Sequence, residues 1–241
     1  HGARILEVDG NFDRCLDIVQ ALTERGEAYL LNSLNPFRLE GQKTIGLEFM
    51  EQFVADYDRY PDRIVLPVGN AGNTAALYKC FRELVKAGAI EDKVPKITGV
   101  QAEGSAPMVE AVETGADEVR RWDEVETIAT AIRIGNPVNG PKALPGIRAT
   151  GGTAVAVSDE QITAAQRDLA GEGVGVEPAS AASVAGLRKL REQGVVDADE
   201  DVVCLTTGHL LKDPDAAAKA GVDPEPVPAD TDAVLDHLAD S

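Results

Sequence analysis

The feature that most narrows the folds open to this chain is the alternation of short aliphatic or β-branched runs with longer segments of helical spacing. Phe12, Cys15, Leu16, Val19 and Leu22 recur at three and four residues, with Asn11 placed to cap that helix and Gly26 to end it. Residues 3–8 and 28–31 read as strands on either side. A helix carrying Ile45, Phe49, Phe53 and Val54 leads to a strand at 63–66. A helix carrying Leu77, Cys80, Leu84 and Val85 then leads to a strand at 96–101. Further on, 153–157 is a strand, and Ser158 and Gln161 form a capping box before a helix reaching about Leu169. A helix over 179–192 precedes a last strand at 202–205. Near-continuously apolar strands separated by helices predict an α/β fold, a mainly parallel sheet with helices on both faces. Between Gly115 and Leu144 the pattern weakens, and Gly135-Asn136-Pro137 with Asn139-Gly140-Pro141 mark a loop or broken helix. Residues 222–230 read as an acidic, proline-containing tether to a short helix whose Val234, Leu235 and Leu238 dock.

At 241 residues the chain can bury a substantial core without disulfides or a structural metal. Asp and Glu number 41 against 23 Lys and Arg, a formal charge of −18, which argues against nucleic acid or an anionic membrane as partner. A small-molecule ligand is expected instead. The acidic residues are spread over every segment, as on a surface suited to high salt, so a salt-adapted (halophilic) source is the expectation. Cys15, Cys80 and Cys204 sit in apolar stretches without metal-ligand spacing, which predicts buried, reduced thiols and a cytoplasmic setting. No apolar run approaches the roughly 20 residues of a membrane span, and no basic region with an apolar stretch and cleavage site opens the sequence, so an unsecreted protein is the expectation.

Four segments carry chemistry. The sharpest is Leu66-Pro67-Val68-Gly69-Asn70-Ala71-Gly72-Asn73-Thr74, which follows a buried strand and opens a helix. Gly69 and Gly72 permit positive φ and close backbone approach, so N–H groups can converge on a phosphate at the positive end of the helix dipole. The alternative is an ordinary βα turn. In the second segment, residues 31–44, Asn32, Ser33 and Arg38 form a second anion site, or else Arg38 simply pairs with Glu40. The third, residues 205–214, sets Thr206, Thr207 and His209 at the end of a buried strand, where open α/β sheets bind ligands. His209 reads equally as a local hydrogen-bonder or a base. The fourth, residues 177–183, is a run of small residues open to two readings, approach by a flat ligand or tight helix packing.

Taken together, VDGNFD (8–13), NSLNPFRLEGQKT (32–44), LPVGNAGN (66–73), ATAIRIGNPVN (129–139), EPASAAS (177–183) and TGHLLKDP (207–214) resemble, in family order, the threonine synthase family of fold-type II (tryptophan synthase β-like) pyridoxal phosphate enzymes. The resemblance implies that Gly69, Asn70, Ala71, Gly72 and Asn73 hold the phosphate of pyridoxal 5'-phosphate and that Thr207 hydrogen-bonds its ring nitrogen. It implies that Asn32, Ser33 and Arg38 contact the phosphate of O-phospho-L-homoserine, and that residues 131–133 lie near the cofactor face. The implied reaction is γ-elimination of phosphate followed by β-addition of water, giving L-threonine. Residues 1–32 then correspond to the end of a small domain and 33–241 to the large cofactor-binding domain with its acidic tail. A homodimer is compatible.

Two departures from the family pattern stand out. Leu210 replaces a usual glycine. The lysine that carries the cofactor as a Schiff base belongs to a segment ahead of His1, so the chain reads as a fragment expected to be inactive alone, with Lys43 in a supporting role. Competing readings are another lyase on the same template, such as a cysteate synthase or threonine dehydratase, and a non-catalytic module binding a phosphate ligand.

Overall fold

The computed structural model describes residues 2–10, 12–31, 34–91, 94–221 and 225–239. In chain order the elements are α1 (Phe12–Glu24), α2 (Pro36–Gln42), α3 (Thr44–Tyr57), β1 (Arg63–Pro67), α4 (Gly72–Lys86), β2 (Lys96–Ala102), α5 (Pro107–Thr114), α6 (Gly140–Ala149), β3 (Thr153–Val157), α7 (Asp159–Gly171), α8 (Pro178–Glu192), β4 (Val202–Cys204), α9 (Pro214–Ala220) and α10 (Thr231–Ala239), with short 3₁₀ turns at Thr130–Ile132 and Leu210–Lys212. The four strands form one parallel sheet in the order β3-β2-β1-β4. The expected parallel α/β architecture is therefore present. Because β2 and β4 flank β1 on opposite sides, the chain reverses its direction of travel across the sheet between them, which opens a crevice at the carboxyl ends of β1 and β4.

Alternation along the strands divides the core into two layers. Val65, Val100, Val155 and Val157 pack against α7 and the alanine-rich face of α8. Ile64, Leu66, Val68 and Ile97 pack on the opposite face against Leu77, Cys80 and Phe81 of α4 and Leu144 and Ile147 of α6. Small residues let α8 lie close to the sheet: a Cβ on Gly186 would stand 2.4 Å from Val100 Cγ2. Across the amino ends of the strands, the buried guanidinium of Arg63 reaches Glu200 at 2.8 Å and Thr98 Oγ1 at 2.8 Å, and Lys96 joins Glu200 at 3.2 Å. These partners hold the Glu200 carboxyl at about 2, well below its ordinary range, the hydrogen bond from Arg63 contributing most.

Several expectations need correction. Residues 3–8 and 28–31 are not strands. They take no regular structure and have no ladder partners among the described residues, with Ile5, Leu6, Tyr29 and Leu31 exposed, because β-propensity needs a neighbouring strand to become a strand. The polar stretch before α3 contains α2, a helix started by Asn35, whose side chain accepts from Phe37 N at 2.9 Å, with proline at its first position. Within 115–144 a 3₁₀ turn at Thr130–Ile132 is followed by the expected loop, after which α6 is entered through Pro141 and carries Pro145 within it. On α10 the side chains of Val234, Leu235 and Leu238 are exposed and do not dock. The three cysteines are free, though only Cys80 is buried, while Cys15 and Cys204 are half-buried. The capping box of Ser158 and Gln161 forms as expected. Asn11 lies outside the described residues.

Candidate cofactor site at the carboxyl ends of β1 and β4

Four of the segments singled out in the sequence converge on one crevice of about 710 Å³. Its floor is the turn after β1, one wall is the segment around Ala131, another is α2, and the far end is the turn after β4. Gly69, Asn70, Ala71, Gly72, Asn73, Arg38 and Thr207 all line it, whereas Asn32 and Ser33 lie outside the described residues. Residues scattered over 170 positions of sequence meet here because the parallel sheet brings each strand's carboxyl end to the same edge.

The turn Gly69–Asn73 is shaped differently from the sequence expectation. Neither glycine has a positive φ. Ala71 does, at φ 59° and ψ 18°, a left-handed conformation costly for alanine. The glycines serve close approach instead. A Cβ on Gly69 would lie 2.8 Å from the Ala131 carbonyl oxygen, and one on Gly72 would lie 3.1 Å from Gln42 Oε1. The left-handed residue followed at once by α4 turns the N–H groups of residues 70–74 away from any backbone acceptor among the described residues. Beside them, the buried Asn70 Oδ1, Asn73 Oδ1, Thr74 Oγ1 and Gln42 Oε1 have no hydrogen-bond partner among the described residues. Unsatisfied backbone donors at a helix start and unpartnered polar side chains are what an anion with bound hydrogen-bonding groups would complete.

The walls are held by two buried side chains. Gln101 on β2 donates to Val68 O at 3.2 Å and accepts from Met108 N at 2.8 Å and Val109 N at 3.2 Å, tying the turn after β1 to the start of α5. Ser105 accepts from Ile134 N at 3.0 Å and stands 3.2 Å from the carbonyls of Ile132 and Ile134, which keeps Ala131 and Ile132 against Gly69. Arg133, expected on the same wall, instead faces outward toward Glu126 at 3.6 Å.

Arg38 points into the crevice from α2 and makes no ion pair among the described residues, because Glu40 is engaged by Lys43 and Lys79. Lys43 also binds Glu83 at 2.6 Å, consistent with its supporting role. Sequence reading did not assign Glu177 and Lys212, which form a 3.0 Å pair at the crevice, the carboxylate nearly buried. A Cβ on Gly208 would stand 2.1 Å from Glu177 Oε1, so a side chain there would displace the carboxylate from its place beside Lys212. Leu210 packs over Gly175, where an added Cβ would meet its Cδ2 at 2.1 Å, so this departure is accommodated by a neighbouring glycine. His209 Nδ1 accepts from Leu211 N at 3.2 Å and does not line the crevice, which makes it a local hydrogen-bonder. No group of acidic, histidine and cysteine side chains able to hold a metal is found among the described residues.

A family model described as pyridoxal-phosphate dependent enzyme matches residues 1–208. The chain belongs to this family. Among curated members, the threonine synthase of Methanosarcina acetivorans is 58% identical over 239 residues, covering 99% of this chain and 58% of that protein. The threonine synthase of Methanocaldococcus jannaschii is 54% identical over 231 residues, covering 95% of this chain and 56% of that protein. The chain thus spans well under two thirds of the length of these relatives. In fold, this member of the pyridoxal-phosphate dependent family is similar to threonine deaminase isoform 2 from Solanum lycopersicum (TM-score 0.66, 23% identity, 83% of this chain and 54% of that one). It is similar also to maize serine racemase (TM-score 0.64, 19% identity, 88% and 62%). Among the described residues no helix is long and apolar enough to cross a membrane.

Proposed function

We propose that this chain is the cofactor-binding part of a threonine synthase, acting on O-phospho-L-homoserine and water to give L-threonine and phosphate. The observation that carries the reading is the meeting, in one crevice, of the glycine-asparagine turn at 69–73, a guanidinium at Arg38 that makes no ion pair among the described residues, and a hydroxyl at Thr207. The curated relatives named above support the substrate assignment. Pyridoxal phosphate, when bound, supplies the electron sink for removing and returning protons next to the amino-bearing carbon.

In this reading the N–H groups of residues 70–74 hold the cofactor phosphate without a cation, and Ala131 and Ile132 form the wall beside its ring. Arg38, with Asn32 and Ser33, binds the substrate phosphate as a charge-assisted fork. Gln42, Asn70 and Asn73 lie between the two anions and orient them. The Glu177–Lys212 pair keeps the turn after β4 closed over Gly208, so Thr207 faces the ring. Residues 1–32 and 33–241 belong to two domains of the whole enzyme, which works in the cytoplasm at high salt.

The test is fluorescence titration of the chain with pyridoxal phosphate and, separately, with O-phospho-L-homoserine. Saturable cofactor uptake displaced by inorganic phosphate is expected. Arg38→Ala is expected to weaken the phosphorylated amino acid at least tenfold while leaving cofactor affinity within about twofold, as removal of a charged hydrogen-bond donor should. Equal loss of both ligands, or of neither, would contradict the division of the crevice into two phosphate sites. A threonine dehydratase reading would instead be favoured by binding of L-threonine in preference to the phosphorylated compound.

A further inference from the structure

A serine hydroxyl has one hydrogen to give and two lone pairs to receive. Ser180, in the first turn of α8 and wholly buried, spends all three on the turn after β4. Its Oγ receives the backbone N–H of Thr207 at 2.9 Å and that of Gly208 at 2.6 Å. Backbone N–H groups can only donate, so both lone pairs are used. The single hydrogen is left for Thr207 Oγ1 at 3.0 Å or Gly208 O at 3.1 Å. Gly208 O, with two lone pairs, also receives the N–H of Glu177 at 3.0 Å, so either acceptor can take that hydrogen.

In either arrangement Ser180 has no lone pair left for the hydroxyl hydrogen of Thr207. No other acceptor for that hydrogen is found among the described residues, and Thr207 is exposed on the crevice wall. Its hydrogen therefore points toward whatever occupies the crevice. A ring nitrogen with a free lone pair satisfies it, whereas a protonated ring nitrogen leaves it without a partner and competes for the remaining lone pair of Oγ1.

We propose that Ser180 is a positioning residue that holds Thr207 as a hydrogen-bond donor toward the crevice and so keeps the pyridine nitrogen of the cofactor unprotonated. The small-residue run at 177–183 thereby has a specific member whose hydroxyl, and not only whose size, matters. The inference deepens the cofactor reading and rests on it. It assigns Ser180 no contact with substrate or cofactor.

The experiment uses pyridoxal phosphate labelled with ¹⁵N in the ring. Affinity is read by fluorescence titration and the protonation of the bound ring nitrogen by its ¹⁵N chemical shift across pH. With the unaltered chain the bound nitrogen is expected to stay unprotonated to lower pH than that of the free cofactor. Ser180→Ala should weaken binding about tenfold, as loss of an acceptor shared by two partly buried donors implies, and should move the nitrogen's titration toward that of the free cofactor. Thr207→Val should do the same, and the double variant should be no worse than Thr207→Val alone, because Ser180 acts through Thr207. An unchanged nitrogen titration in Ser180→Ala, or effects of the two substitutions that simply multiply, overturns the proposal while leaving the cofactor site standing. Failure of the unaltered chain to take up pyridoxal phosphate overturns the cofactor reading and this proposal with it. Should Ser180→Ala not fold, Ser180→Cys keeps nearly the same volume with only a weak acceptor and carries the same comparison.

Discussion

Replacing Gly69 with alanine places a methyl group 2.8 Å from the Ala131 carbonyl oxygen and 3.3 Å from both Ile132 Cα and Ile134 Cγ1. Ordinary contact requires a retreat of about half an ångström on one side or the other. The carbonyl cannot easily yield, since Ile132 and Ile134 are held through Ser105. The turn cannot easily yield either, since Val68 N bonds Val100 O at 2.8 Å and Gln101 fastens Val68 O. Overpacking of this kind costs about 1–3 kcal/mol. The φ of Gly69 lies outside the left-handed range, so no backbone strain is added. Whatever relaxation occurs moves the N–H cradle against its opposite wall, and cofactor affinity should fall tenfold or more. Gly72→Ala is the matched control. Its new methyl meets the far end of the flexible Gln42 side chain at 3.1 Å, in the first turn of α4, so its stability should stay within about 0.5 kcal/mol of the parent. Urea denaturation gives the stabilities and fluorescence titration the affinities. A Gly69→Ala protein as stable as the parent, with undiminished affinity for pyridoxal phosphate, would refute the close-approach account of this glycine.

Three further expectations follow from the same geometry. The folded-state pKa of Glu200 is lowered to about 2, so its pairing with Arg63 stabilises the fold fully above about pH 4.5 and that contribution is lost as pH falls through about 2. The stability gap between the parent and Glu200→Gln, followed by denaturation from pH 7 downward, should therefore narrow only on the acid side, and a gap that narrows above pH 5 would disprove the assignment. Ser158→Ala removes the hydroxyl that accepts from Gln161 N at 3.3 Å and should cost about 1 kcal/mol, read as a lower urea midpoint with unchanged cofactor affinity. Burial pushes the thiols of Cys80 and Cys204 up to about 11, so alkylation by iodoacetamide at pH 7.5 should be slow at both in the folded chain and become fast in urea, as mass spectrometry of the labelled peptides would register.

Where the sequence was legible, the structure it encodes depends on neighbours within a few residues or on alternation along a strand. The strand at 153–157 and the capping box at Ser158 and Gln161 are local, and both could be read directly. The turn after β1 stood out as a candidate phosphate cradle because two glycines, two asparagines and a helix start lie within six positions. Its conformation did not. Glycines were expected to supply the left-handed residue, yet Ala71 does, and the position where a side chain is most hindered, Gly69, is set by the Ala131 carbonyl from another element.

Local periodicity and composition determined the α/β class, the parallel sheet, most of the helices and the segments that carry chemistry. Whether 3–8 and 28–31 become strands was decided by the presence of a paired edge, since an extended run gains its ladder only from another strand. Which side chains face one another was likewise a tertiary matter. That Arg38 makes no ion pair among the described residues follows from Glu40 being taken by Lys43 and Lys79, and the burial of Glu177 follows from Gly208 and Lys212. Ser180 was visible in sequence only as one small residue among several. Its role is set by the fold, which brings the turn after β4 onto the first turn of α8 and leaves a single hydroxyl to satisfy both backbone donors there. Hydrogen bonds of this kind join residues 27 and 28 positions apart, and no spacing rule in the chain encodes their direction.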